Sequence, residues 1–121
     1  YDTFCMVRDQ YRVGFIVITH DLLLARKFCE RIVVMYCGRV LETNAARELF
    51  EHPRHPYTQG LIASLPHLGM KPMAGFSPAF TDQPSGCVFH PRCPYAEARC
   101  RHTEPKSIPC GEGSVCCHRY A

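Results

Sequence analysis

Six of the chain's nine cysteines fall at or after position 87: Cys87, Cys93, Cys100, Cys110, Cys116 and Cys117. Segregation of this kind points to a local site rather than to stapling of the whole fold. Thiolates are soft ligands and suit tetrahedral zinc or an iron–sulfur cluster. Two disulfides, or free thiols in a loop, would use the same residues. An odd total argues against a fully paired disulfide framework. His90, His102 and His118 stand close by in sequence and offer ring nitrogens in place of a thiol. Arg92, Arg99 and Arg101 offer positive charge to a thiolate site, or simply a solvated face. Cys5, Cys29 and Cys37 sit in apolar or helical context and read as buried small hydrophobes.

A second candidate lies near the start. Phe15-Ile16-Val17-Ile18 runs straight into Thr19-His20-Asp21. A short, continuous apolar run suits a central strand of a parallel sheet, buried on both faces. Ligands in open α/β sheets sit beyond the carboxyl ends of strands, which is where His20 stands. The plain alternative is a loop histidine that closes a strand.

The elements that must position these groups can be read in order. Phe4, Val7 and Tyr11 fall on one helical face, so residues 1–12 read as a helix that Val13-Gly14 ends. Asp21 is placed to cap a helix over 22–30, with Leu24 and Phe28 on one face. Residues 31–36 and 39–42 read as apolar strands joined at Cys37-Gly38, a two-residue hairpin connection. Asn44 is positioned to cap a short helix over 45–51. Pro56 suits the first turn of another helix, with Tyr57, Leu61 and Leu65 on one face and Pro66 closing it. All ten prolines lie beyond residue 52. Residues 67–84 show little periodicity and read as a linker. The expected organisation is therefore an α/β piece over 1–66, the linker 67–84 and a cysteine-rich module over 85–121.

Composition narrows the function. The net charge of +3 is mild and no basic tract is present, which gives no warrant for a nucleic-acid partner. No apolar stretch approaches the ~18 residues of a membrane span. There is no signal-peptide pattern, so any work at a membrane is expected of a peripheral subunit. The chain begins at Tyr1 rather than Met, which reads as a piece of a longer protein.

Three blocks carry a family resemblance. Ile-Thr-His-Asp-Leu, Arg-Ile-Val-Val-Met-Tyr and Gly-Arg-Val resemble the last third of an ABC-transporter ATP-binding domain. The segment Glu48-Leu49-Phe50-Glu51-His52-Pro53-Arg54-His55-Pro56-Tyr57-Thr58-Gln59-Gly60-Leu61 is similar to the stretch just after the ATPase core in oligopeptide and dipeptide importers. Ser85-Gly86-Cys87-Val88-Phe89-His90-Pro91-Arg92-Cys93-Pro94-Tyr95-Ala96 resembles their tail, and Cys100, Glu104-Pro105 and Cys117-His118 continue it. The likeness runs from about Gly14 to His118 and its blocks keep their order.

The resemblance implies the C-terminal end of an ABC-type P-loop ATPase, of class α/β, followed by the cysteine-rich module. The parent would use ATP and Mg to drive uptake of peptides, or of nickel in related branches. It would work at the cytoplasmic face of the membrane with permease subunits and a second ATP-binding subunit, identical or related, and indirectly with a substrate-binding protein. His20 matches the switch histidine that contacts the γ-phosphate and helps position the hydrolytic water. Cys87, Cys93, Cys100 and Cys117 match the four tail cysteines, with five, six and sixteen residues between them. Those intervals exceed the two to four usual in structural zinc sites and are not ferredoxin-like, so spacing leaves the metal open. Similar tails in dipeptide importers are associated with a 4Fe–4S cluster. Zinc, or no metal, are the other readings.

Some family parts are missing. There is no Gly-x-x-x-x-Gly-Lys-Ser/Thr loop, no apolar strand ending in Asp-Glu and no Leu-Ser-Gly-Gly-Gln signature. This chain by itself is therefore expected neither to bind ATP tightly nor to turn it over. The glycine usual after the position of Leu41-Glu42 is absent. Cys110 and Cys116 are additional thiols, either of which offers an alternative to Cys117. The competing reading of the whole is a free-standing zinc or iron–sulfur module with a structural or redox-sensing role.

Overall fold

A computed structural model describes residues 2–121. The helix expected at the start forms as α1 (Asp2–Tyr11), its first expected residue, Tyr1, lying outside the described residues. Arg12 leaves the helix with φ 51°, and the chain then runs extended and irregular to residue 21. Here the expected buried strand is not formed. Ile16 and Ile18 are 95% and 96% exposed, and Phe15 and Val17 are exposed too. A strand is defined by pairing, and among the described residues no other strand lies beside this run. Apolar character showed that the segment wants a partner, not that one is at hand.

Asp21 caps α2 (Leu22–Phe28) as expected, its Oδ1 accepting from the Leu24 amide at 3.0 Å. The hairpin also forms. β1 (Arg31–Tyr36) and β2 (Arg39–Ala45) pair antiparallel across Cys37 and Gly38, whose φ values of 47° and 76° are those of a type I′ turn. The register slips by one residue between Val34 and Met35. Val34 pairs with Glu42 and Met35 with Val40, which leaves Leu41 as the extra residue of a bulge. Leu41 and Glu42 are consequently both buried.

Asn44 does not cap a helix. It is buried at the end of β2, its Nδ2 donating to the Cys110 carbonyl and its Oδ1 accepting from the Ala45 amide. Ala45 occupies the cap position of α3 (Ala46–Glu51) without a side-chain bond. Pro56 opens α4 (Pro56–Ala63) as expected. Its most buried face carries Thr58 and Ile62, while Tyr57 and Leu61 pack half-buried at the flank. After α4 the chain makes a 3₁₀ turn at Pro66–Leu68 and has no further regular element until His90–Arg92. A short helix, α5 (Ala98–His102), comes next, and then the strands β3 (Ile108–Cys110) and β4 (Gly113–Val115).

The sheet is antiparallel throughout, in the order β1-β2-β4-β3, rather than the parallel sheet expected from the 15–18 run. Because β4 pairs with β2 through Glu42 and Thr43, the cysteine-rich end of the chain completes the sheet begun by the hairpin. Gly113 permits this approach, since a Cβ there would collide with the Thr43 carbonyl. Two apolar clusters result. One joins Ala25, Ile32, Val34, Ala46, Leu49, Ile62 and Leu65. The other joins Tyr36 and Leu41 to Cys87, Val88, Phe89 and Cys100. Cys5, Cys29 and Cys37 are only partly buried, contrary to their expected place in a core.

Candidate functional site

The second cluster is built around Phe89, which is 2% exposed. Its ring lies 5.4 Å from both Tyr36 and Tyr57 and 5.7 Å from His55. It thereby fixes the loop between Gly86 and Cys93 against β1 and the start of α4. Gly86 allows that loop to close. Its φ is +68°, and a Cβ would run into the Cys100 carbonyl and the Arg101 backbone. The adjacent Cys87 amide donates to that same carbonyl at 2.8 Å.

This closure brings Cys87, Cys93, Cys100 and Cys117 to the lining of one small pocket. The four come from the 86–93 loop, from α5 and from the turn after β4. His55, Phe89, His90, Tyr95, His118 and Arg119 complete most of the wall. Among the described residues no three His, Cys, Asp or Glu side chains are gathered closely enough to hold a single metal ion. Cys110 and Cys116 do not reach the pocket.

Electrostatics show what these thiols experience. Burial pushes the Cys87 thiol up, and the neighbouring Cys100, Cys117 and Cys93 add to the rise. Burial likewise raises Cys93 and Cys117. Opposing donors are present in each case. The backbone N–H groups of Phe89, Tyr95 and Arg119 favour the thiolates of Cys87, Cys93 and Cys117 respectively. Cys100 Sγ accepts from the Glu97 amide at 3.5 Å. Arg119 favours the Cys93 and Cys117 thiolates, and Arg99 favours that of Cys117. For Cys87, Cys93 and Cys117 burial outweighs the backbone donors and the two guanidinium groups, and the thiols stay above their ordinary range.

The arginines are only partly those singled out in the sequence. Arg99 is fixed by Glu97 at 2.9 Å and by the His118 carbonyl at 2.8 Å. Arg92 instead ties down the linker through the Ala74 carbonyl and Ser77 Oγ. Arg101 is exposed, and its carbonyl accepts from Ser85 Oγ. Arg119, which sequence reasoning missed, lies 3.9 Å from the Tyr95 ring centroid. His90 and His118 line the pocket with one ring nitrogen each bonded to a backbone carbonyl, of Cys87 and Thr103. His102 is exposed and lies off the pocket.

His55 was also missed as a pocket residue. It is 1% exposed. Glu42, equally buried, accepts from the Arg54 and His55 amides, each at 2.9 Å. Its carboxylate thus sets the entry of α4, and His55 Nδ1 then accepts from the Tyr57 amide at 3.0 Å. Burial lowers the imidazole pKa to about 4, so the ring is neutral at physiological pH. A His-Pro pair opening a helix signals the cap. Nothing local signals the pocket.

His20 is separate from this site. It is exposed at the end of the irregular segment and is not among the pocket residues. The Asp21 amide donates to Thr19 Oγ1 at 3.0 Å, fixing the turn that carries it.

Comparison with known proteins gives a consistent result. A family model described as the C-terminal region of oligopeptide/dipeptide transporters matches residues 41–100. The chain is 42% identical over 111 residues to the dipeptide transport ATP-binding protein DppD of Haemophilus influenzae, covering 88% of this chain and 34% of that protein. It is 38% identical over 120 residues to DppD of Caldanaerobacter subterraneus subsp. tengcongensis, covering 94% of this chain and 37% of the relative. With DppD of Escherichia coli the identity is 41% over 104 residues, covering 82% and 32%. The chain therefore spans about a third of the length of these curated relatives.

Proposed function

This chain belongs, through its C-terminal region, to the oligopeptide/dipeptide family of ABC-transporter ATP-binding proteins, and we propose that it is the C-terminal part of a subunit that couples ATP hydrolysis to peptide uptake. The observation that carries the reading is the exposed 15–18 run ending at Thr19-His20-Asp21. Ile16 and Ile18 are almost wholly in water, a state that an apolar segment keeps only until a sheet covers it. In the subunit this run is a core strand and presents His20 to the γ-phosphate of ATP bound with Mg. The subunit is peripheral, on the cytoplasmic face, and pairs with permeases and a second ATP-binding subunit. No helix among the described residues is long and apolar enough to cross a membrane.

The reading frame upstream of Tyr1 is the first test. A phosphate loop and a strand ending in Asp-Glu are expected there, and a start codon immediately before Tyr1 overturns the proposal. In the assembled transporter, His20→Ala is expected to lower ATP turnover by a factor of about 10² or more while ATP still binds. Unchanged turnover removes His20 from the switch role.

The four-cysteine pocket is read as a 4Fe–4S site. A single zinc needs four sulfurs about 2.3 Å from one point, whereas a cluster takes one thiolate per iron and spreads them. The lining of one pocket by all four cysteines, with a backbone donor to each sulfur, supports the larger group. When bound, the cluster supplies a one-electron redox centre and a cross-link between the 86–93 loop, α5 and the end of β4. Anaerobic purification followed by iron, sulfide and zinc analysis tests it. Equal iron and sulfide with a broad brown absorption band support the reading. One zinc, or no metal, overturns it.

A further inference from the structure

The exposed side chain of His20 is held by nothing around it. Among the described residues its ring makes no hydrogen bond, ion pair or ring contact. Its place is therefore set by the backbone on either side, and that backbone is tied down in two steps. Asp21 is locked to α2, its Oδ1 accepting from the Leu24 amide and its carbonyl from the Ala25 amide, each at 3.0 Å. The helix is itself anchored, because Ala25 is buried in the first apolar cluster and Leu22 packs against it. Thr19 is then locked to Asp21, its Oγ1 accepting from the Asp21 amide at 3.0 Å. A hydroxyl that bonds the amide two residues on closes a local turn. Here the residue inside that turn is His20.

We propose that Thr19 is a positioning residue whose hydroxyl, by fixing the turn between the 15–18 run and α2, aims the His20 ring. The inference rests on the reading of His20 as the group that meets the γ-phosphate. Thr19 acts through His20 and touches no reacting atom. Misplacing a catalytic group by about 1 Å can cost about 10²-fold in rate. Losing one exposed hydrogen bond loosens the turn without unmaking it, so a smaller factor is expected. Thr19→Val removes the hydroxyl and keeps the β-branched shape. Thr19→Ser keeps the hydroxyl, and Thr19→Asn offers another side-chain oxygen to the same amide.

The test is ATP turnover by the full-length subunit in the assembled transporter. Thr19→Val is expected to lower kcat about tenfold while KM for ATP stays within about twofold of wild type. Thr19→Ser and Thr19→Asn are expected to recover most of the loss. Where Thr19→Val fails to assemble, Thr19→Ala set against Thr19→Ser makes the same comparison. A double-mutant cycle then separates aiming from a general structural role. With His20→Ala there is no ring to aim, so adding Thr19→Val is expected to change the residual single-turnover rate by less than about twofold. A second tenfold loss in that background shows the hydroxyl acting apart from His20 and overturns the inference. So does a wild-type kcat in Thr19→Val when His20→Ala is impaired, and the switch reading then stands. If His20→Ala itself turns over like wild type, the switch reading fails first and the inference falls with it.

Discussion

Gly86→Ala tests the closure that makes the pocket. Two costs act together. An L-residue in the left-handed region, here φ +68°, costs about 1–2 kcal/mol. The added Cβ also collides with the Cys100 carbonyl and the Arg101 backbone, neither of which is a flexible side-chain end. Relief requires the 86–93 loop to move off α5, breaking the 2.8 Å bond from the Cys87 amide to the Cys100 carbonyl. That bond contributes about 1 kcal/mol. Reduced freedom of the unfolded chain returns about 0.4–1 kcal/mol. The net loss is then about 2 kcal/mol, or roughly 1 M in the urea midpoint for a typical m-value. The chain has no tryptophan, so far-UV circular dichroism or tyrosine fluorescence tracks the transition. Gly14→Ala is the control, since nothing lies within 4 Å of a Cβ there and its φ is not positive. A Gly86→Ala midpoint equal to that of the control would refute the argument that backbone contact closes the loop.

Phe89→Ala removes the ring that joins Tyr36, Tyr57 and His55 and should cost about 3–5 kcal/mol in urea unfolding, as deletion of a fully buried aromatic does. Glu42→Gln puts an amide N–H against one of the two backbone donors and should cost about 1.5–3 kcal/mol, with the same assay deciding. Acid should destabilise the chain through His55. Its folded pKa of about 4 lies below the ordinary value of 6.5, so the unfolded state binds the extra proton. Stability from this group is complete above pH 6.5 and falls progressively toward pH 4, by up to ~3 kcal/mol. Urea midpoints measured between pH 4 and 7 should show that slope, and His55→Asn should flatten it.

Local chemistry was legible in this sequence and long-range partnership was not. Asp21, the Cys37-Gly38 turn and Pro56 each act on a backbone group within a few residues, so residue type and spacing were enough to place them. Asn44 departs from its expected role, and the 15–18 run lies unpaired, for one shared reason. Asn44 has the chemistry of a helix cap, yet β3 supplies a carbonyl 66 residues away and holds it at the end of a strand. The 15–18 run has the composition of a buried strand, but burial is a property of the neighbour as much as of the segment. The pocket shows the same division. The resemblance singles out four cysteines, and those four line one pocket. Arg119 and His55 are not singled out in this way, because their roles depend on a sheet in which β4 joins β2 and on a carboxylate, Glu42, reaching across 13 residues. A sheet that crosses the composition boundary also ties the pocket to the hairpin. Any group that binds the four cysteines would therefore stabilise the β1–β2–β4 sheet along with its own loop, and its removal would loosen both.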